Sequence, residues 1–358
     1  MLRNLAKRSI DSQKYKWEKM LSSRASNITA QSISLNRFCM KHGVDENTTS
    51  AAAAANSLAE IAKRWQQRFE EERISEGFES FAHIAAHVLG IKRSGLDAIM
   101  EKKLTQQQSQ KLEELCLCRL SSMPVQYIVG EWDFRNITLK LEPPIFIPRV
   151  ETEELVSIAL NRIENMKKNP IKILEIGCGS GAICLSLLHS NQSIQLVAID
   201  KNHHACTVTI ENASNLKINK NLKVLNASIT KEGSIQSEQN ISTNEDVNFE
   251  KLKFDLIISN PPYIPTKKIF RLQPEIRLYE DFSALDGGTD GLDVIDAILK
   301  YACKALNSEG LVLLEVNHDH SQKIQELIEK MYSKELKYLA THKDIYGRDR
   351  IVEIIKNE

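Results

Sequence analysis

The stretch Ile171-Lys-Ile-Leu-Glu-Ile-Gly-Cys-Gly-Ser-Gly181 joins an apolar run to a loop in which every second residue is glycine. The run Ile171–Ile176 has the length and the isoleucine and leucine content of a buried strand. Glycines between a strand and a helix let the backbone approach a ligand closely, and they present amide donors at the helix N-terminus. The stretch therefore predicts the first strand, ligand loop and helix of an α/β domain.

Four further apolar runs extend this pattern along the chain. Amphipathic helical stretches separate them, as expected of a doubly wound, mostly parallel sheet with helices on both faces. The four predicted strands are Ile194–Ile199, Leu222–Leu225, Phe254–Ser259 and Leu311–Val316. We predict an α/β domain over residues 150–358. Its segment 227–253 is rich in Ser, Asn, Glu and Gln and predicts a flexible surface insertion.

Residues 50–123 predict a small helical domain. Ser50 can cap a helix that runs through Ala51–Ala55 and then carries an apolar stripe at three- and four-residue spacing. The stripe is formed by Leu58, Ile61, Trp65 and Phe69. Three more helices are predicted: one from Ser75 that stops at Gly90, one over Ser94–Met100 and one over Thr105–Leu120. Because these residues contain no cluster of polar side chains suited to catalysis, we interpret the domain as a substrate-recognition module.

Residues 124–149 predict a β-hairpin linker between the two domains. Pro124–Phe134 and Ile137–Leu141 alternate apolar and polar residues on either side of a turn. Pro124 is expected to end the preceding helices. The domain boundary is therefore placed in this linker.

Composition excludes several classes of protein. The 358 residues carry 47 Lys and Arg against 47 Asp and Glu, so binding that depends on covering nucleic-acid phosphates is not expected. No run reaches the roughly 18 to 20 apolar residues of a membrane helix. The seven Cys contain no C-x-x-C pair, which argues against a disulfide framework and structural zinc. His83 and His87 have the spacing of a metal pair, but without a third ligand no metal is expected.

The first 44 residues differ from the rest of the chain. They contain nine basic residues and two acidic ones, Asp11 and Glu18, with many Ser and a helical rhythm of Leu2, Leu5 and Ile10. This pattern resembles a mitochondrial presequence, and it predicts a location in the mitochondrial matrix. A basic tail on a cytoplasmic protein is the alternative.

A nucleoside cofactor is indicated by an acidic residue at the end of the second strand. Asp200 lies 23 positions after Gly177, where a carboxylate can accept hydrogen bonds from both ribose hydroxyls. The glycine spacing differs from the dinucleotide pattern G-x-G-x-x-G. With Glu175 inside the strand, it has the E-x-G-x-G-x-G form that resembles class I S-adenosylmethionine-dependent methyltransferases.

The motif Asn260-Pro-Pro-Tyr263 directly follows the predicted strand Phe254–Ser259. Two prolines fix the backbone and lack amide hydrogens, so the Pro261 carbonyl is held as an acceptor beside the Asn260 side-chain oxygen. Two such acceptors suit one NH2 group. The motif is similar to that of methyltransferases acting on planar amino nitrogens, in amides and in adenine or cytosine bases.

Together these motifs resemble the HemK/PrmC family of release-factor glutamine methyltransferases, from about residue 55 to the end. The remaining segments that carry the resemblance are Pro124-Val-Gln-Tyr127 with Gly130, Ile147-Pro-Arg-Val-Glu-Thr-Glu153, Pro274-Glu-Ile-Arg277, Tyr279-Glu-Asp281, and Ala284-Leu-Asp-Gly-Gly288 with Gly291. The resemblance implies a helical domain followed by a Rossmann-like, seven-stranded, mostly parallel methyltransferase sheet. It also implies methylation of the glutamine amide nitrogen in the Gly-Gly-Gln motif of class I peptide chain release factors, which supports translation termination.

The resemblance assigns residues to roles in this sequence. It implies S-adenosylmethionine binding by Glu175, Gly177, Cys178, Gly179, Ser180, Gly181, Asp200, Ser228, Ile229 and Asn260. Asn260, Pro261, Pro262 and Tyr263 are implied as catalytic, and the same four bind substrate with Pro148 and Arg149. Ser228 stands where the family usually has an Asp near the adenine, and its hydroxyl can still make one hydrogen bond.

The chemistry of an amide limits the mechanism. Its nitrogen lone pair is delocalised into the carbonyl, so catalysis must come from positioning, and no catalytic acid or base is expected. A ribosomal-protein glutamine methyltransferase is the nearest alternative. A DNA adenine-N6 methyltransferase is less favoured, because the chain lacks a basic groove. We expect a monomer whose partner is a release factor, without direct nucleic-acid or membrane binding.

Overall fold

The computed structural model describes residues 57–239 and 247–358. By its internal contacts the chain divides after Leu117, which lies inside a helix, into a first unit and a second unit that runs from Cys118 to Glu358. The presequence-like segment 1–44 lies outside the described residues. In the described part, none of the helices combines the length and apolarity that a membrane crossing demands.

The helices of the first unit follow the predicted apolar pattern, with corrected ends. They are α1 Leu58–Glu71, α2 Gly77–Leu89 and α3 Gln106–Leu120, with 3-10 turns at Arg93–Gly95 and Asp97–Ile99. Helix α1 begins at Leu58, with Ser57 as its cap, while the predicted cap Ser50 and the run Ala51–Ala55 lie outside the described residues. The Ser57 hydroxyl accepts from the Glu60 amide at 3.3 Å, and the Glu60 carboxylate accepts from the Ser57 amide at 2.9 Å.

The predicted stripe of α1 is buried, with Leu58, Ile61, Trp65 and Phe69 at most 3% exposed. Gly90 ends α2 in the left-handed conformation at φ 65°, as predicted. The third predicted helix, Ser94–Met100, is wrong. Its residues form the two 3-10 turns, because Gly95 disfavours a helix in so short a segment.

After the end of α3, the second unit has a short helix in the segment where the first strand of a hairpin was predicted. Pro124 starts α4, Val125–Val129, and Gly130 ends it at φ 81°. The hairpin itself is shorter than predicted and pairs β1 Glu131–Phe134 with β2 Ile137–Lys140. The proline fixes a helical start and the glycine allows the left-handed stop, so one helical turn replaces half of the predicted strand.

In the described residues, the large sheet of the second unit has eight strands: β3 Lys172–Ile176, β4 Gln195–Asp200, β5 Leu222–Ile229, β6 Ile235–Gln239, β7 Phe254–Ser259, β8 Leu306–Glu315, β9 Leu336–Lys343 and β10 Asp349–Lys356. Their order across the sheet is β6-β5-β4-β3-β7-β8-β10-β9. Strands β3, β4, β5, β7 and β8 are parallel, while β6 and β10 run antiparallel to their neighbours. The class I methyltransferase fold is therefore confirmed, with one strand more than predicted.

The additional strand comes from the segment predicted as a flexible insertion. Strand β5 continues to Ile229, and β6 pairs antiparallel with it at the sheet edge. Residues 227–229 and 235–239 thus belong to strands of the sheet, which corrects this part of the flexible insertion predicted over 227–253. Residues 240–246 lie outside the described residues.

Helices cover both faces of the sheet. They are α5 Thr152–Asn165, α6 Ala182–Ser190, α7 His203–Asn215, α8 Thr266–Ile269, α9 Pro274–Tyr279, α10 Asp293–Ala305 and α11 Ser321–Leu327, with a 3-10 turn at Phe282–Ala284 and a π turn at Ile328–Tyr332. Consecutive residues Ile173 and Leu174 of β3 belong to two different apolar clusters. Burial on both faces explains why these strands appear as continuous apolar runs.

The centre of the sheet is a topological switch point. Strand β3 has β4 on one side and β7 on the other, so the loops after β3 and β7 leave adjacent strand ends. A crevice opens between loops that diverge in this way, and ligands of doubly wound sheets bind there.

Candidate active site

A cavity of about 320 Å³ lies at the carboxyl ends of the central strands. It brings together nearly all the residues that the sequence predicts as site residues. Its lining includes Pro148, Arg149, Glu175, Gly177, Cys178, Gly179, Ser180, Asp200, Ser228, Ile229, Asn260, Pro261, Pro262 and Tyr263. Gly181 is the predicted site residue that does not line this cavity.

The three glycines of the loop serve two different purposes. Gly177 and Gly179 have φ of 82° and 56°, and a Cβ added to either would meet nothing within 4 Å. They are needed for a left-handed backbone that leaves open space beside the loop. A Cβ on Gly181 would lie 2.7 Å from Leu185 Cδ1, so this glycine permits close packing at the start of α6.

The sequence suggested that the loop presents free amide donors, but four of its amides already donate within the protein. The amides of Gly177 and Cys178 donate to the Ile199 carbonyl at 2.8 and 3.1 Å, and the Gly181 amide donates to the Cys178 carbonyl. The Gly179 amide donates to Asp200 Oδ2 at 3.0 Å. These donors hold the loop against the end of β4, so the loop offers a shaped, open backbone surface.

Asp200 is held rigidly at the end of β4. Its Oδ2 accepts from the Gly179 amide, and its Oδ1 accepts from the Asn202 amide at 2.8 Å. Burial raises the pKa of its carboxyl above the usual value. Each carboxylate oxygen keeps a second lone pair, so Asp200 can still accept two hydroxyl donors from the cavity.

Glu175 leaves one buried carboxylate oxygen without a partner. Its side chain is 1% exposed, Oε2 accepts from the Cys184 amide at 3.0 Å, and Oε1 has no hydrogen bond. Burial raises the pKa of this carboxyl to about 8. A ligand ammonium would satisfy Oε1 and favour the ionised form. Together with Asp200, this arrangement fits the ammonium and ribose groups of S-adenosylmethionine.

The Asn260–Tyr263 motif lines the same cavity as the glycine loop and is held by contacts with neighbouring backbone. The Ser259 hydroxyl donates to the Ile176 carbonyl at 2.6 Å, which ties the starts of the two loops together. The Gly287 amide donates to the Ile264 carbonyl at 2.9 Å. A Cβ on Gly287 would lie 2.6 Å from the Pro262 carbonyl oxygen, so glycine is required there for the backbone to pack against the motif.

The side chains of the motif join a buried polar network. Asn260 Nδ2 donates to Thr152 Oγ1 at 3.2 Å, and Thr152 Oγ1 donates to Glu315 Oε2 at 2.6 Å. The Tyr263 hydroxyl donates to Glu315 Oε1 at 3.2 Å. Glu315 is 1% exposed, and burial raises the pKa of its carboxyl.

Several residues of the site were not identified from the sequence. Thr152, Glu280 and Asp281 belong to motifs quoted in the sequence analysis, which gave them no role. Asp281 lines the cavity and accepts from Asn202 Nδ2 at 3.0 Å. Glu315 could have been noticed as the one charge inside the apolar run Leu311–Val316. A buried charge within a strand calls for partners, and that was the available signal.

The fold and this cavity define a class I S-adenosylmethionine-dependent methyltransferase. The methyltransferase domain family model matches residues 167–357, and the PrmC N-terminal domain model matches residues 60–130. The chain belongs to the release factor glutamine methyltransferase family.

Relatives from distant organisms support this assignment. The human MTRF1L release factor glutamine methyltransferase is 39% identical over 310 residues, which cover 84% of this chain and 88% of that protein. The release factor glutamine methyltransferase of Lactococcus lactis is 32% identical over 72% of this chain and 86% of its own length. That of Thermodesulfovibrio yellowstonii is 32% identical over 77% of this chain and 91% of its own length.

Proposed function

We propose that this chain transfers a methyl group from S-adenosylmethionine to the side-chain amide nitrogen of the glutamine in the Gly-Gly-Gln motif of a class I release factor. The observation that carries the proposal is the cavity itself. Asn260–Tyr263 line it together with residues of the glycine loop and Asp200, so it has room for a planar amide beside a nucleoside cofactor. The relatives named above are release factor glutamine methyltransferases.

The cofactor is proposed to lie along the strand ends from β3 to β5. Asp200 would accept from the two ribose hydroxyls, and Glu175 Oε1 would pair with the ammonium group. Ser228 and Ile229, which line the cavity at the end of β5, would contact the adenine. The cofactor supplies the electrophilic methyl group, and the protein supplies its orientation.

The substrate amide is proposed to donate its two N–H groups to Asn260 Oδ1 and the Pro261 carbonyl. Both acceptors draw electron density onto the amide nitrogen and aim its lone pair at the methyl group. The Tyr263 ring would bound the amide on one face. The N–CH3 bond would form as the S–CH3 bond of the sulfonium breaks, which leaves S-adenosylhomocysteine as a neutral thioether. The N-methylated, protonated amide is a strong acid and would lose its proton to water, so no acid or base of the protein is required.

Pro148 and Arg149 are proposed to guide the substrate segment to the cavity. Both line it, and the Arg149 guanidinium lies 4.8 Å from the centre of the Phe146 ring. A guanidinium held against an aromatic ring keeps donors available for the peptide backbone of a loop.

Asn260→Ala tests the proposed chemistry. Removing one preorganised acceptor is expected to lower single-turnover methylation of a release factor by about 100- to 1,000-fold. The matched control is Asn165→Ala on the exposed face of α5, which should leave the rate unchanged. The unfolding temperature and the cofactor affinity of Asn260→Ala should be close to those of the parent. A folded, cofactor-binding Asn260→Ala protein within about threefold of the parent rate would contradict the mechanism.

The substrate is tested by mass spectrometry in cells that lack this protein. We expect the 14-dalton methyl increment to disappear from the Gly-Gly-Gln glutamine of a release factor. An unchanged release factor together with a lost methyl group on a ribosomal protein would replace the proposed substrate.

We also propose that the enzyme acts in the mitochondrial matrix, because residues 1–44 are cationic and rich in Ser. A fusion of these residues to a fluorescent protein should enter mitochondria. Diffuse cytosolic fluorescence would assign the enzyme to a cytoplasmic release factor. We also propose that the enzyme is a monomer, which analytical ultracentrifugation tests.

A further inference from the structure

We propose that Glu315 and Thr152 are positioning residues that determine which end of the Asn260 carboxamide faces the substrate. The inference rests on the proposed function, since it concerns how Asn260 comes to present an acceptor. Neither residue lies in the Asn260–Tyr263 motif. Both reach it through the tertiary structure.

Sheet register brings Glu315 to Asn260. Strands β7 and β8 are parallel neighbours, and Ser259 of β7 pairs with Leu314 of β8. The residues that come next are Asn260, which directly follows β7, and Glu315, the last residue of β8, so both lie at the same end of the sheet. Thr152, the first residue of α5, lies between their side chains and is 3% exposed.

The direction of the hydrogen bonds fixes the carboxamide. Glu315 accepts two hydroxyl donors, one on each oxygen, from Thr152 and Tyr263. Both carboxylate oxygens of Glu315 are therefore occupied as acceptors in this network, at 2.6 Å from Thr152 Oγ1 and 3.2 Å from the Tyr263 hydroxyl. The Thr152 proton is therefore committed to Glu315. Its oxygen can only accept from Asn260, which turns Nδ2 toward Thr152 and leaves Oδ1 for the ligand.

The reverse orientation would not support catalysis. A rotated carboxamide would direct its NH2 group at the substrate amide, whose two N–H groups are also donors. Two donors repel each other and leave both unsatisfied. The same carboxylate also orients Tyr263, so Glu315 holds the first and last side chains of the motif.

Thr152→Val is the first test, since it replaces the hydroxyl by a methyl group of similar shape. We expect kcat to fall by about 10- to 100-fold with KM for the release factor within about threefold, because alignment and not binding is lost. Thr152→Ser keeps the hydroxyl and should restore most of kcat. Equal activity of the Val variant and the parent would overturn the inference.

A double variant separates positioning from a general structural effect. If Thr152 acts through Asn260, Thr152→Val should have little further effect on kcat in an Asn260→Ala background. Additive losses would assign Thr152 a structural role instead.

Glu315→Gln is the second test, because a glutamine has one acceptor oxygen for two hydroxyl donors. We expect a fall in kcat similar to that of Thr152→Val. The matched control is Glu353→Gln on the neighbouring strand β10. Glu353 is equally buried and pairs with Arg162 at 2.6 Å, outside the cavity. Its replacement should lower the unfolding temperature but not kcat. Equal losses of kcat in the two variants would contradict the positioning role.

A measurement without substrate keeps this inference independent of the proposed function. In protein labelled with 15N-asparagine, the Asn260 side-chain amide signals are identified by their loss in Asn260→Ala. They should be shifted from random-coil values in the parent and move toward them in Thr152→Val. Unmoved signals would overturn the inference. If the Asn260 signals shift as expected but the parent enzyme does not methylate release factors, only the proposed function is refuted.

Discussion

Arg149 Nη2 donates to Glu280 Oε1 at 2.5 Å, across 131 positions of sequence. The Glu280 side chain is 1% exposed and that of Arg149 is 31% exposed. Among the described residues, no side chain hydrogen-bonds to the second carboxylate oxygen of Glu280, Oε2. A buried carboxylate with one guanidinium partner depends on that partner for its charge. The pair thus joins the lining of the cavity to the segment that follows α9.

Removing only the Arg149 side chain of this pair should lower the stability of the protein. Arg149→Ala leaves Glu280 buried and unpaired, and we expect a loss of about 2 kcal/mol in the free energy of unfolding, less than for a fully buried pair because Arg149 is partly exposed. Adding Glu280→Gln should recover part of the loss. Thermal unfolding of the single and double variants measures both effects. A double variant as unstable as the sum of the single variants would show that the two side chains do not interact.

Asp200→Asn should weaken S-adenosylmethionine binding by about 1.5 to 3 kcal/mol, because a carboxamide offers one acceptor oxygen where two ribose hydroxyls and two backbone amides donate. Calorimetric titration measures the affinity. Asp97→Asn, an exposed position in the first unit, is the matched control. Unchanged affinity in the folded Asp200 variant would refute the ribose contact.

Cofactor binding should release close to one proton at pH 7. The pKa of Glu175 is raised to about 8 in the protein without ligand, so its carboxyl is mostly protonated at pH 7. An ammonium partner favours the ionised form, so the proton leaves on binding, and affinity should rise as the pH rises toward 8. Calorimetry in two buffers of different ionisation enthalpy counts the protons. Glu175→Gln should bind without release, and release that persists in this variant would assign it to another group.

Gly287→Ala should displace the backbone of the Asn260–Tyr263 motif. The added Cβ would lie 2.6 Å from the Pro262 carbonyl oxygen and 2.8 Å from Tyr263 Cα, so backbone must move. We expect a loss of turnover of about tenfold or more together with about 1 to 3 kcal/mol of stability. Gly95→Ala, where a Cβ meets nothing within 4 Å, should change neither. Parent-like turnover in Gly287→Ala would mean that the motif tolerates displacement.

Local pattern was sufficient for much of the fold. The strand Phe254–Ser259 was predicted with its observed ends, and the stop of α2 at Gly90 was also predicted. Both depend on local features, an apolar run and a left-handed glycine. The hairpin strand predicted from Pro124 failed because a single helical turn and a short strand have similar apolar patterns over a few residues.

Local residue patterns are enough to identify the residues with a restricted backbone and those that carry the recognisable chemistry: the glycine loop, Asp200 and the Asn260–Tyr263 motif. The contacts that hold these groups in place depend on the folded chain. Thr152 is 108 positions from Asn260 and 163 from Glu315, and no local period relates them. Their contact follows from the register of β7 with β8 and from the packing of α5, both of which depend on long-range burial of apolar surface. Spacing along the chain could not predict the orientation of Asn260, because hydrogen bonds from distant elements set it.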